Sequence, residues 1–274
     1  GSFYNGSGTG NEFRSEAPMG RKYIIDSCKF WVEEYGVDGF RFDLMALMDL
    51  ETLTQLKKEL EAIYPNILIY GEPWAATGPD GSGLDQLTYK DVVSGTGLGA
   101  FNDNYRNALK GSPDGDDPGY VHDGNNRDGV KTGICGGIDD WTANPLESIN
   151  YATCHDNLTL WDKHHHATPE LTEEDYRKIQ KLTAGILAVS QGVLFFNGGA
   201  EMCRTKDGIE NSYNAGTEVN AIKWERKEKF RDVMDFQAGM IELRRAHPVF
   251  RLAKTEQVRR RIFFHEENLP APEA

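Results

Sequence analysis

The sequence predicts an α/β fold built on a parallel sheet, and three observations carry that expectation. Short apolar runs alternate with stretches of helical periodicity. Several of those runs end on a carboxylate, as at Asp43, Glu72 and Asp156. Functional groups gathered at strand C-termini are the habit of parallel α/β sheets, where the following loops form a cleft.

Pro18, after Ser15-Glu-Ala, marks a helix start, and Ile24, Cys28, Trp31 and Tyr35 recur at helical spacing until Gly36. The apolar strand Gly36 to Phe42 follows at once and delivers Asp43 two residues after Arg41. Leu50, Leu53, Leu56, Leu60 and Ile63 mark a second amphipathic helix stopped by Pro65, and the strand from Ile67 to Tyr70 ends on Glu72. Leu98 to Phe101 is a poorer strand, followed by a helical stretch from Asp103 to Lys110 and a Gly- and Asp-rich excursion loop from Gly111 to Asp140. The strand from Ile149 to Ala152 leads to His155 and Asp156. Thr172 then caps a helix carrying Tyr176, Ile179, Leu182, Ile186 and Val189, and Val193 to Phe196 reads as a buried strand. A last helix runs through Val233, Phe236, Met240 and Leu243 toward Pro248. Five strands do not close an eight-stranded barrel. The sheet is therefore either open or the later part of a barrel whose first units lie outside these residues.

A chain of 274 residues is long enough to bury a substantial core, as one large domain or two small ones. A net charge of -13 repels phosphate backbones and anionic lipid, so neither nucleic acid nor membrane is an expected partner. The most apolar stretch, near Ile186 to Phe196, is broken by Ser190, Gln191 and Gly192, short of the roughly 18 apolar residues a spanning helix needs. Cys28, Cys135, Cys154 and Cys203 are far apart, which argues against a zinc site or disulfide framework and favours free thiols in a reducing, cytoplasmic compartment. No charged-then-apolar leader opens the chain, and its native start is expected upstream of Gly1.

Arg41 and Asp43 share one face of an extended strand, so the guanidinium keeps the carboxylate ionised and oriented, as a nucleophile requires. Glu72 precedes Pro73-Trp74, and an apolar neighbour favours the protonated form that suits a general acid. His155 adds a hydrogen-bonding ring beside the third carboxylate, Asp156. Each group alone could be structural: an ion pair in a strand, a surface glutamate beside a core tryptophan, a helix cap. Their shared position at strand ends is what joins them into one expected site.

Other motifs are weaker. His164-His-His166 reads as a solvated loop, because consecutive histidines do not converge on one ion. Asp114-Gly-Asp-Asp-Pro-Gly119 resembles the start of a calcium loop, but Pro118 takes the fifth position and no glutamate closes the twelfth. Ser94-Gly-Thr-Gly-Leu-Gly99 is glycine-rich yet misses the dinucleotide fingerprint. Two Asn-x-Ser/Thr matches, at Asn5 and Asn157, are short enough to arise by chance.

Gly39-Phe-Arg-Phe-Asp43, Tyr70-Gly-Glu-Pro-Trp74 and the run from Ile149 through His155-Asp156 to Lys163 resemble, in order, three signature regions of the alpha-amylase superfamily of glycoside hydrolases. The wording of Asp43 to Asp49, Asp156 to Lys163, Gly199 to Lys206 and Asn211-Ser-Tyr-Asn214 is similar to type I pullulanases, the starch-debranching branch. That resemblance covers nearly the whole chain. It implies retaining hydrolysis of α-1,6 glucosidic linkages in pullulan, amylopectin or related α-glucans, with Asp43 as nucleophile, Glu72 as acid/base and Asp156 gripping the sugar at the cleavage subsite. Arg41 would orient Asp43, His155 would bond sugar hydroxyls, and Trp74 and Tyr213 would stack on sugar rings. No cofactor is required by this chemistry, and calcium has no support in the sequence.

The first signature region and three strand-helix units are missing, and the full-length chain is expected to supply them. Residues 1–250 would then be the fourth to eighth units of a (β/α)8 TIM barrel, and 251–274 the start of a C-terminal β-sandwich domain, with Val258 to Phe264 as its first strand. Ala200 stands where this family pattern has a second glutamate. The alternatives are a noncatalytic α-glucan-binding fragment and an α-1,4 specific amylase-type enzyme.

Overall fold

The computed structural model describes residues 4–77 and 87–265. Along the chain run α1 (Pro18–Tyr35), β1 (Gly39–Phe42), α2 (Leu50–Ile63), β2 (Leu68–Gly71), α3 (Lys90–Val93) and β3 (Gly99–Phe101). Then come α4 (Asp103–Lys110), α5 (Tyr120–Asp123), α6 (Arg127–Ile134), β4 (Ser148–Asn150), α7 (Leu160–Ala167) and α8 (Glu173–Val189). The last are β5 (Val193–Leu194), α9 (Thr217–Asn220), α10 (Arg226–Lys229), α11 (Arg231–Ala246) and α12 (Thr255–Arg261). The chain divides into two compact units, the first made of residues 1–101 and 140–149, the second of 102–139 and 150–274. No helix among the described residues is long and apolar enough to cross a membrane.

In the first unit β1, β2, β3 and β4 pair in that order, all parallel. The β1–β2 register sets Phe42 opposite Gly71, so the residues that follow, Asp43 and Glu72, emerge side by side. Gly71 is required there: a Cβ would lie 2.5 Å from the Phe42 carbonyl oxygen. One core joins Ile25, Cys28 and Val32 of α1 to Leu53, Leu56 and Leu60 of α2 and Ile69 of β2. Gly36 ends α1 in the left-handed conformation, as a glycine at that position does. Asp49 caps α2 by accepting from Thr52 N at 2.8 Å, and also accepts from Ser15 Oγ at 2.6 Å.

The buried face of α1 is turned from the expected one. Trp31 and Tyr35 are exposed, their rings 4.6 Å apart, and Val32 packs inward instead. Spacing alone does not choose between adjacent apolar stripes when both Trp31 and Val32 are available.

In the second unit, Phe195 N–H, just past β5, donates to the Asn150 carbonyl at 2.9 Å. The long loop expected from 111 to 140 contains α5 and α6. Helix α6 packs on α4 because Gly133 lies under the Tyr105 ring, where a Cβ would stand 2.0 Å from Cδ2. Tyr105 is wholly buried and its hydroxyl bonds Ser190 Oγ at 2.7 Å. Thr172 and Asp175 form a capping box on α8 as expected. The histidine run is not a loop: it lies on α7, and His164 is fully buried, its Nδ1 3.0 Å from His122 Nε2.

The strand expected from Val258 to Phe264 is also absent. Thr255–Arg261 is helix α12, with Glu256 in the first turn and three arginines in the last, the arrangement a helix dipole favours. Val258 packs there with Ile138 and Leu252. Residues 266–274 of the expected β domain lie outside the described residues.

Gly133→Ala in the full-length protein is expected to lower unfolding stability by about 1–3 kcal/mol through overpacking against Tyr105. Gly239→Ala, within α11 with open space around it, is expected to raise stability by about 0.5–1 kcal/mol. Urea unfolding of both variants tests the packing, and equal effects would refute it.

Candidate active site

Arg41 is the hub of the first unit's polar cluster. Its Nη1 donates to Asp43 Oδ1 at 2.6 Å, and its Nη2 pairs with Glu72 Oε1 at 2.7 Å. A planar guanidinium with one nitrogen toward each carboxylate fixes both side chains at once. The cation is itself held against the Phe101 ring, with Cζ 5.8 Å from the centroid, and Tyr70 meets Phe101 edge-on at 5.5 Å.

The two carboxyls have opposite environments. The Asp43 side chain is 70% exposed and that of Glu72 4%. Burial raises the Glu72 pKa above the ordinary glutamate value, with the Asp43 charge adding to the rise. The Leu44 N–H, donating to Oε2 at 2.9 Å, and the Arg41 charge pull the other way and leave a net upward shift. The environments therefore leave the Asp43 side chain accessible and make Glu72 hold its proton more tightly than an ordinary glutamate. Leu44 presents this N–H from a left-handed backbone, with φ 43°. Nothing in the local sequence announces that conformation. Trp74 is half-buried just beyond Glu72.

Asp156 and His155 form a second cluster, in the second unit, with His155 Nε2 3.5 Å from Asp156 Oδ1 and both side chains more than half exposed. Cys154 adds a thiol, and one donor atom from each of the three lies within 4.8 Å of the others. The run after Asp156 is tied down at several points. Leu158 N and Asn157 Nδ2 donate to Asp114 at 2.9 and 2.5 Å, and Lys206 N donates to Asp162 Oδ2 at 2.8 Å, with Thr205 Oγ1 on the other oxygen. Asp162 thus anchors the segment that leads toward Tyr213, which is 84% exposed.

Two motifs of the sequence have internal partners. Gly95 N and Gly97 N of the glycine-rich turn donate to Glu147 Oε1 at 2.9 and 3.0 Å, so a carboxylate of the chain fills that turn. In the Asp114–Gly119 loop, the buried Lys163 ammonium donates to the Gly115 and Asp117 carbonyls at 2.5 and 2.9 Å. The chain's own cation thus organises the backbone of this loop. The four cysteines are free.

No family model matches the chain. Comparison with individual proteins is more informative. The chain is 37% identical to the pullulanase of Bacillus subtilis (strain 168), across 94% of its own length and 37% of that protein's. The solved structure of the pullulanase from Bacillus acidopullulyticus superposes with a TM-score of 0.91 at 48% identity, over 95% of this chain and 32% of that one. A pullulanase from Paenibacillus barengoltzii, in complex with maltohexaose and alpha-cyclodextrin, gives a TM-score of 0.91 at 39% identity over 97% and 42%. The parallel α/β arrangement is accordingly part of a TIM barrel. With this agreement of sequence and fold, the chain matches a segment of pullulanases over nearly its whole length, and it spans little more than a third of the length of the Bacillus subtilis relative.

Proposed function

We propose that the protein carrying this chain is a retaining glycoside hydrolase that cleaves α-1,6 branch linkages in starch-type glucans. The observation that carries the reading is the pair of strand-end carboxyls on one guanidinium, Asp43 exposed and Glu72 buried with a raised pKa. In a retaining hydrolysis, Glu72 gives its proton to the glycosidic oxygen as that bond breaks, and Asp43 attacks the anomeric carbon to form a glycosyl-enzyme ester. The Glu72 carboxylate then takes a proton from water, which attacks the same carbon and releases Asp43. Arg41 orients both groups, while His155 and Asp156 are assigned to sugar hydroxyls and Trp74 and Tyr213 to ring stacking. The similar Paenibacillus barengoltzii structure holds maltohexaose and alpha-cyclodextrin, which supports an α-glucan as substrate.

The remaining barrel strands are assigned to the rest of the longer protein. Among the described residues β1 pairs only with β2, and α1 carries the exposed rings of Phe30, Trp31 and Tyr35. Both features suit a continuing sheet and helix layer. The isolated 274 residues are expected to lack robust pullulan hydrolysis, and activity equal to that of the full-length protein would remove this assignment.

Product analysis on pullulan tests the linkage. Maltotriose is the expected product, whereas panose or isopanose would mean α-1,4 cleavage and overturn the branch-point reading.

Glu72→Gln in the full-length protein is expected to lower kcat on pullulan by about 10²–10⁴-fold. The loss should shrink on an aryl glycoside whose leaving group needs no proton. The working form of Glu72 is protonated, so activity should fall as pH rises through its raised pKa. A pH–rate profile that keeps this alkaline limb in the Gln variant would assign the acid elsewhere.

A further inference from the structure

Asp156 stands on a turn that no regular element holds. Strand β4 has ended at Asn150, and Asn157 is a non-glycine residue in the left-handed region at φ 64°. Asp114 holds the turn through both its oxygens, Oδ1 accepting from Leu158 N and Oδ2 from Asn157 Nδ2. Asp114 belongs to the irregular segment 111–119, so its own position needs a cause.

That cause is the Lys163 ammonium. Its side chain is fully buried, and Nζ donates to the Gly115 and Asp117 carbonyls at 2.5 and 2.9 Å, with Asp117 Oδ1 at 3.9 Å. The loop closes tightly around it. Asp117 Oδ2 accepts from Ser112 N at 2.8 Å, and a Cβ on Gly111, whose φ is +81°, would lie 2.1 Å from the Asp117 carbonyl oxygen. Lys163 lies in the first turn of α7, whose N-cap Thr159 directly follows Leu158. Turn, helix, lysine, loop and Asp114 therefore form one closed circuit, and the member inside it is a buried charge that cannot leave its acceptors without a large desolvation cost.

We propose that Lys163 is a positioning residue for Asp156: its ammonium fixes the 111–119 loop, and through Asp114 that loop fixes the turn that carries Asp156. The proposal rests on the reading of Asp156 as the carboxylate that grips the sugar. A displaced catalytic-site group is costly, with an ångström of misplacement worth up to about 10²-fold in rate.

The test uses the full-length protein with Lys163→Met, Asp114→Asn, both together, and Asp156→Asn. Asp114→Asn keeps the lysine clamp and removes one of the two acceptors on the turn, so it remains decisive where Lys163→Met fails to fold. The expected result is a fall in kcat on pullulan of about tenfold or more in each single variant, with KM changed less than about threefold. The double variant should be no worse than the weaker single by more than about twofold, since both changes cut one circuit. A folded Asp114→Asn variant with parental kcat, or losses that multiply in the double variant, would overturn the proposal. Crystals of Asp114→Asn read the linkage without activity: a displaced 156–158 turn supports it and an unmoved turn refutes it. Parental kcat in Asp156→Asn would instead count against the sugar-gripping role, whatever the turn does.

Discussion

A charged group taken out of water must have its hydrogen-bonding valences met inside the protein, and much of this structure is arranged around that requirement. The strands are two to four residues long, too short to fix the long connections between them. Buried charges do so instead, by gathering backbone groups. Glu147, wholly buried, accepts from Gly95, Gly97 and Ala143 N–H groups and so joins two loops of the first unit. In the second unit Arg244 donates to the carbonyls of Ala188, Gly192 and Phe250 at 2.7–3.0 Å, gathering the end of α8, the start of β5 and the turn after α11. Lys163 does the same for the 111–119 loop. Each such charge is worth little as net stability against a well-packed apolar substitute, but removing its partners strands it, and that asymmetry makes the loop geometry nearly obligatory.

The same electrostatics, left partly unsatisfied, raises the pKa of Glu72. Among the described residues Glu147 meets several N–H donors, whereas Glu72 accepts from the Leu44 N–H and shares Arg41 with a second carboxylate. One cation divided between two anions does not offset the burial of Glu72, so its proton is retained more tightly. Asp43, by contrast, is open to solvent, with its side chain 70% exposed. Burial raises the Glu72 pKa, and the few, shared donors around it do not cancel that rise.

That distinction explains what could and could not be read from the residues. The strand-end carboxylates and the helices carrying Leu53, Leu56 and Leu60 were legible because periodicity and turn residues report local geometry directly. The pairing of Asp43 with Glu72 followed from two adjacent parallel strands. What stayed hidden depends on partners distant in sequence. The glycine-rich turn at Gly95 and Gly97 misses the dinucleotide fingerprint, and its N–H groups are met by Glu147. The Asp114–Gly119 run resembles the start of a calcium loop only in part, and its loop gathers around the Lys163 ammonium, 46 to 48 residues away. His164 reads as a solvated loop residue because consecutive histidines do not converge on one ion, yet it is buried and its ring contacts His122, 42 residues away. Val258 fitted a strand in isolation, and its contacts with Ile138 and Leu252 place it on a helix.

The run from Asp156 to Lys163 joins these two uses of charge. Asp156 and His155 are exposed at its start, where a ligand can reach them, while Asp162 and Lys163 at its end are buried and bind backbone on two different loops. A turn with an exposed carboxylate cannot be held by its own burial, since burial would change the very group it must present. Its rigidity has to be imported from a few residues along the chain, where desolvation is tolerable because carbonyls and N–H groups are at hand. On this argument the chemical end and the supporting end of the run are constrained together, and a substitution at Lys163 acts on Asp156 without touching any atom of the substrate.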